Sequence, residues 1–268
     1  MQIFNCHTHI GDAFLSLPKK KMSIEELFAP PYGYKHVMLE KASREKIIRG
    51  MKKAIEIMEK CNTNYFIDFR EGGIEGVMML KEALKGKKIN AIILGRPKKM
   101  KYNENEIEEL LNMCHGIGIS SISDWNYEEL QIIADHVYER KKIFSMHASE
   151  IKREDIKRIL DLKPKFLIHL CKASEEDLNE IASKRIGVVI CPRANSFFGL
   201  NPPVKILLEK NIVTMLGTDN AMIIKPNIIE EMKFLVRKYG IKQEEAFKMI
   251  SSIPQKFFGE ILKKGAYS

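Results

Sequence analysis

The stretch Ile3-Phe4-Asn5-Cys6-His7-Thr8-His9 ends an apolar run in two histidines one residue apart. Along a strand, residues i and i+2 point to the same face, so His7 and His9 would project side by side from a strand end. Two neutral imidazoles offered from one rigid edge make half of a metal site. The pair also arises by chance, so other parts of the chain must supply the missing ligands. Three further residues stand at the ends of apolar runs: His147 after Ile143-Phe144-Ser145-Met146, His169 after Phe166-Leu167-Ile168, and Asp219 just past the run 212–217. A single histidine in such a place is ordinarily a hydrogen-bonded structural residue. Four of them with an aspartate in one layer would be costly to desolvate unless a cation satisfied the cluster. His36 in a loop, and His115 and His136 at or on helices, read as surface or capping residues.

Other polar residues fall beside these ends. Glu150 lies three residues past His147, where a carboxylate can carry a proton between an activated water and a leaving nitrogen. It could equally cap the next helix. In Cys191-Pro192-Arg193-Ala194-Asn195, proline fixes a turn, and Arg193 and Asn195 could contact a ligand. Arg193 could also pair with a surface carboxylate. Arg70 and Glu71 occupy the same layer after the second strand, with the same alternatives.

These residues need elements to place them. Runs at 65–69, 89–94, 116–122, 143–147, 166–169, 187–191 and 212–217 join the first as eight short apolar strands. Between them lie stretches of helical spacing at 43–61, 74–84, 104–114, 126–141, 153–162, 174–184 and 204–211, with a helical remainder over 226–268. Ser23-Ile24-Glu25-Glu26 is a capping-box pattern, and Ala29-Pro30-Pro31-Tyr32-Gly33 breaks the chain behind it. Strands alternating with helices predict parallel pairing by right-handed crossovers. Eight such units without a linker or low-complexity tract predict a single α/β domain over 1–268, a (β/α)8 TIM barrel. An open doubly wound sheet is the alternative. The barrel is favoured because its active sites sit at the C-terminal strand ends, where these polar residues fall.

Taken in order, His-x-His at 7–9, His-x-x-Glu at 147–150, the isolated His169, Cys-Pro-x-x-Asn at 191–195 and Gly-Thr-Asp-Asn at 217–220 resemble the amidohydrolase superfamily. The closest likeness is to its cytosine deaminase, guanine deaminase and chlorohydrolase-like branch. The stretch 252–259 also resembles that branch's helical Thr-x-Asn-Pro-Ala-x-x-Leu-Gly segment. The resemblance implies that His7, His9, His147 and Asp219 hold one divalent metal. Zinc suits these donors, as do iron, nickel or manganese. His169 would contact the bound water or the substrate, Glu150 would carry protons, and Asp219 would double as the base. Binuclear members use a bridging lysine or glutamate from strand four; the run 118–122 offers neither, which favours a single metal. A divalent metal lowers the pKa of bound water toward roughly 7, so the implied reaction is hydrolytic removal of a nitrogen from an sp2 carbon. Members of the branch usually carry a small β-sandwich built from both chain ends. Here strand one begins at about residue 2 and few residues follow Gly259, so the sandwich is expected to be absent. Segment 10–40 could cover the barrel mouth as a lid.

Composition narrows the alternatives. Hydrophobic residues make up 45% of the 268, enough for a full core. No apolar run reaches the ~18–20 residues of a membrane span, and the N-terminus lacks a signal-peptide pattern, so a cytoplasmic protein is expected. The five cysteines are scattered and odd in number, which fits reduced thiols. The net charge is +9, but its lysines are spread over nearly every helix among glutamates. No aromatic-interleaved basic stripe appears, which argues against a nucleic-acid partner. The expected partner is a small-molecule substrate; a homo-oligomer is compatible with the sequence. The leading expectation is a metal-dependent aminohydrolase acting on a nitrogen heterocycle. A cyclic-amide or other C–N or C–X hydrolase is the nearest rival, and a non-catalytic metal-binding barrel is the rival from another class.

Overall fold

The computed structural model describes residues 1–265. Among these residues nine strands form one sheet: β1 (Phe4–His9), β2 (Tyr65–Arg70), β3 (Asn90–Gly95), β4 (Gly116–Ile119), β5 (Ile143–Ala148), β6 (Phe166–His169), β7 (Gly187–Ile190), β8 (Thr214–Leu216) and β9 (Asp219–Asn220). Their order is β8-β7-β6-β5-β4-β3-β2-β1-β9, and each neighbouring pair runs parallel. β8 and β9 are the expected eighth strand, interrupted at Gly217-Thr218. Because β9 pairs with β1 (Thr8↔Asp219, His9↔Asn220), the last strand returns to the first and the sheet closes as a TIM barrel.

A close backbone approach marks the interruption. A Cβ on Gly217 would lie 2.6 Å from the His7 Cβ and 2.8 Å from its backbone nitrogen, closer than real contacts allow. Glycine therefore lets the two backbones touch, and Thr218 N–H donates to the His7 carbonyl at 3.0 Å. Asn5 clamps the same point: its Nδ2 donates to Thr218 Oγ1 at 2.8 Å, and its Oδ1 lies 3.1 Å from Thr218 N.

Two apolar clusters flank the sheet. Phe4, Cys6, Ile67, Phe69, Ile92, Leu94, Phe166, Ile168, Val189 and Met215 fill the barrel interior, with Phe258 from the C-terminal helices closing its floor. The larger cluster lies between strands and helices, where helix Arg44–Lys60 buries Ile47, Ile48, Met51, Ala54, Ile55 and Met58 at the spacing read from the sequence. The capping box at Ser23 forms both of its bonds and starts helix Ile24–Phe28.

Three departures bear on the site. The register of β1 against β2 shifts between Asn5 and Thr8. Phe4 and Cys6 join the interior cluster, and strict alternation would then send His7 outward; the irregularity re-aims the strand so that His7 meets the Phe69, His147 and His169 rings. Tyr34–Lys41 is a helix, although its apolar residues follow no helical period. The turn read at Cys191-Pro192 instead opens a helix, Pro192–Phe197, with proline in its first turn, where its missing N–H costs nothing. The C-terminal remainder holds helices Ile228–Tyr239, Gln243–Lys248, Ser252–Phe257 and Gly259–Lys264; residues 266–268 of that expected segment lie outside the described residues. Every strand among the described residues belongs to the one sheet, and no helix is long and apolar enough to cross a membrane.

Candidate metal centre and active site

The C-terminal strand ends bring five groups to one point. His147 Nε2 lies 3.1 Å from His7 Nε2 and 3.2 Å from His9 Nε2. Asp219 Oδ1 lies 3.4 Å from His7 Nε2 and 3.7 Å from His9 Nε2. Donors about 2.0–2.1 Å from a shared tetrahedral ion stand about 3.3–3.4 Å apart. The donor set of three imidazoles and a carboxylate therefore fits a divalent metal by spacing as well as by chemistry. His169 also offers an atom in a group with His7, His147 and Asp219 whose members lie within 4.8 Å of one another.

Hydrogen bonds sort these five groups. His147 Nδ1 is 2.9 Å from the Ile119 carbonyl, and His9 Nδ1 is 3.1 Å from the Phe69 carbonyl and 2.8 Å from Glu71 Oε1. A ring nitrogen facing a carbonyl must carry the proton, which leaves each Nε2 as a lone pair aimed at the cluster. His169 is oriented the other way. Asn195 Nδ2 donates to its Nδ1 at 3.1 Å, so its Nε2 carries the hydrogen and faces Glu150 Oε1 at 3.5 Å. That Nε2 is buried without a hydrogen-bond partner. In this tautomer His169 is a donor, which leaves His7, His9, His147 and Asp219 as the groups that could hold an ion. His169 and Asp219 both have positive φ, +78° and +65°, a conformation uncommon outside glycine that aims their side chains into the mouth.

Electrostatics keep the groups in these states. Burial lowers the pKa of His7, His147 and His169, and takes His9 to about 3, so the imidazoles stay neutral. Burial opposes ionisation of Asp219, but the His7 hydrogen bond and the surrounding histidines hold its carboxyl well below the ordinary range. Glu150 is pushed well above the usual carboxylate value by burial and by the charge of Asp219. The two carboxyls at one mouth are thus shifted in opposite directions, Asp219 toward its ionised form and Glu150 toward its protonated form.

A second network lies behind His9. Lys35, on helix Tyr34–Lys41, is buried; its Nζ lies 2.5 Å from Glu71 Oε1, 2.7 Å from Asn220 Oδ1 and 3.8 Å from Asp12 Oδ2. The Glu71 pKa is held well below its ordinary value; burial opposes this, but the charges of Lys35 and Arg70 and the His9 hydrogen bond outweigh it. His9, Lys35, Glu71 and Asn220 line a cavity of about 200 Å³ together with Ile24, Phe28, His36, Arg96, Ser120 and Phe198. Residues of segment 10–40 thus form part of the wall over the mouth.

The remaining expected substrate contacts are placed differently. Arg70 is buried, paired with Asp68 and Glu71, and its guanidinium packs in the space a Gly11 side chain would need. It is absent from the cavity lining at the metal cluster. The Arg193 backbone N–H donates to Glu231 Oε1 at 2.6 Å and its side chain lies 3.6 Å from Glu231 Oε2, which ties helix Pro192–Phe197 to Ile228–Tyr239. Asn195 is fully buried and spans Glu150 Oε1 and His169 Nδ1, each at 3.1 Å, so it positions those two side chains. His36, read as a surface residue, is half-buried in the cavity wall on a helix. His136 pairs with Glu108 at 2.6 Å, and His115 accepts from the Ile93 N–H at 3.1 Å. The sequence reading missed Lys35, Asp12 and Arg96. Arg96 carried the same strand-end signal as Arg70, whereas nothing local marked Lys35 or Asp12.

Residues 3–266 match the family described as "Amidohydrolase family". A Methanocaldococcus jannaschii protein, "Uncharacterized protein MJ0699", is 33% identical over 267 residues, covering 92% of this chain and 70% of its own. An Archaeoglobus fulgidus protein named "Putative aminohydrolase" is 33% identical over 258 residues, covering 96% of this chain and 73% of its own. Among solved structures, guanine deaminase from C. acetobutylicum with bound guanine superposes with a TM-score of 0.76 at 18% identity, over 100% of this chain and 74% of that one. Helicobacter pylori aminofutalosine deaminase gives 0.77 at 13% identity, over 96% and 73%. The ADAL–IMP complex gives 0.76 at 17% identity, over 98% and 94%. At these identities the structural likeness establishes the fold.

Proposed function

The chain belongs to the amidohydrolase family, hydrolases of carbon–nitrogen bonds other than peptide bonds, and on that premise we propose that it is an aminohydrolase releasing ammonia from a nitrogen heterocycle. The carrying observation is the geometry at one mouth: the Nε2 atoms of His7, His9 and His147 and the Asp219 carboxylate stand at metal-ligand spacing, with Glu150 Oε1 3.5 Å from His169 Nε2 beside them. His7, His9, His147 and Asp219 would hold one divalent ion, with zinc the best match to three imidazoles and a carboxylate. When bound, the ion supplies the Lewis acidity that makes water nucleophilic near neutral pH.

The side chains supply the rest. Asp219 orients the water and accepts its proton. His169, its Nε2–H fixed by Asn195, donates to the negative charge that develops on the heteroatom doubly bonded to the attacked carbon. Glu150 gives its proton to the leaving nitrogen, which departs as ammonia, and Asn195 holds Glu150 toward that position. The cavity of about 200 Å³ is small beside the ~300–1,000 Å³ of sites for drug-sized ligands, which favours a compact ring. Names of relatives agree with this reading, and guanine bound to the C. acetobutylicum enzyme is a ring of this kind.

Replacing Glu150 with Gln keeps the shape and removes the transferable proton. The metal-loaded variant is expected to retain its metal and lose about 10²–10⁴ in kcat, the usual contribution of a positioned general acid. Ammonia release at the wild-type rate would remove Glu150 from the mechanism. Ring-opened product without ammonia would make the protein a cyclic-amide hydrolase.

A further inference from the structure

We infer that Arg96 is the anion-binding group of the substrate site, so that the heterocycle carries a carboxylate or phosphate group. Arg96 follows β3 directly, and its backbone is fixed on both sides: its N–H donates to the Arg70 carbonyl at 2.9 Å and its carbonyl accepts from Gly73 at 3.2 Å. The side chain is 8% exposed. Among the described residues its one guanidinium hydrogen bond goes to His36 Nδ1 at 3.4 Å. His36 Nε2 lies 3.0 Å from the Phe28 carbonyl and must donate there, so Nδ1 accepts and His36 brings no negative charge. Among the described residues, no carboxylate oxygen stands within 4.0 Å of the Arg96 guanidinium.

The contrast with its neighbour is direct. Arg70, the other buried arginine, is paired with both Asp68 and Glu71. A buried guanidinium without a counter-charge is expensive, because removing a charge from water is offset only by pairing. Glu71 and Asp124 act on Arg96 only at longer range, and Glu71 is already held by Lys35, His9 and Arg70. Arg96 has five N–H donors and commits one to His36. The others are free to take a planar or tetrahedral oxyanion through two parallel bonds. Arg96 also lines both the metal-side cavity and an adjoining one of about 380 Å³ floored by Leu39, Met51 and Met79. The anionic group would sit at this partition, away from the metal cluster, with the amino-bearing carbon at the cluster.

The assignment of the ring to the metal side rests on the aminohydrolase reading. The anion site itself is tested without turnover, so the two can fail separately. Zinc-loaded protein is titrated calorimetrically with inorganic phosphate and, separately, with benzoate; whichever binds more tightly identifies the anion. Arg96→Gln is expected to weaken that binding at least tenfold while keeping the wild-type metal content. Arg96→Lys, which keeps the charge and loses the fork, is expected to weaken it severalfold; it serves if the glutamine variant does not fold. Equal affinity in wild type and variant, or no binding of either anion to the wild type at millimolar concentration, would overturn the inference.

Discussion

At the residue scale, the site is an exercise in assigning hydrogens. His9 and His147 turn their Nε2 lone pairs inward because backbone carbonyls hold their Nδ1–H groups, while His169 is turned the other way by one buried amide. His9 has the additional partner Glu71, whose charge is secured by Lys35. Partners of this kind typically change metal affinity by about 10–100-fold. Glu71→Gln is therefore expected to weaken metal binding by that order in a chelator competition, with the fold unchanged. Unaltered affinity would mean that the Phe69 carbonyl alone orients His9. The ligand types were legible in the sequence, because each ends an apolar run and a barrel converges strand ends. The Lys35 partnership was not legible, because it joins residues that only the folded chain brings together.

At the element scale, β1 and the β8–β9 segment decide the geometry, since they carry three of the four proposed ligands. Their closeness depends on Gly217, on the Asn5 clamp and on the irregularity in β1. Gly217→Ala would drive a methyl group into the His7 backbone. The expected result is a loss of stability of about 1–3 kcal/mol, the usual cost of overpacking, together with weakened metal retention. A variant with wild-type denaturant midpoint and metal content would show that the two strands can separate without cost. The period-two reading of the first strand put both histidines on one face, which the structure bears out. Its weakness was that Phe4 and Cys6 share the interior with His7, and only an extra residue in the register reconciles them. Alternation cannot reveal such an irregularity, because every residue of β1 is buried and no polar face marks the phase. Helix Tyr34–Lys41 escaped notice for a related reason: it lies over the mouth, where apolar and polar contacts mix, and so has no single buried stripe.

At the scale of the whole molecule, the barrel separates stability from chemistry. Phe258 and the interior apolar cluster close the floor, and the titratable groups collect at the other end. The alternation of strand and helix made that architecture readable from the sequence, and the strand-end residues located the mouth. Lys35, His36 and Arg96 line that mouth together with part of segment 10–40, and their positions follow from tertiary packing. The chain spans about 70% of the length of the relatives it matches. The central claim is that His7, His9, His147 and Asp219 together hold one catalytic ion. Elemental analysis of purified protein beside His147→Ala tests it most directly. The account predicts close to one divalent ion per chain in the wild type and loss of most of it in the variant; equal metal content in the two would contradict it.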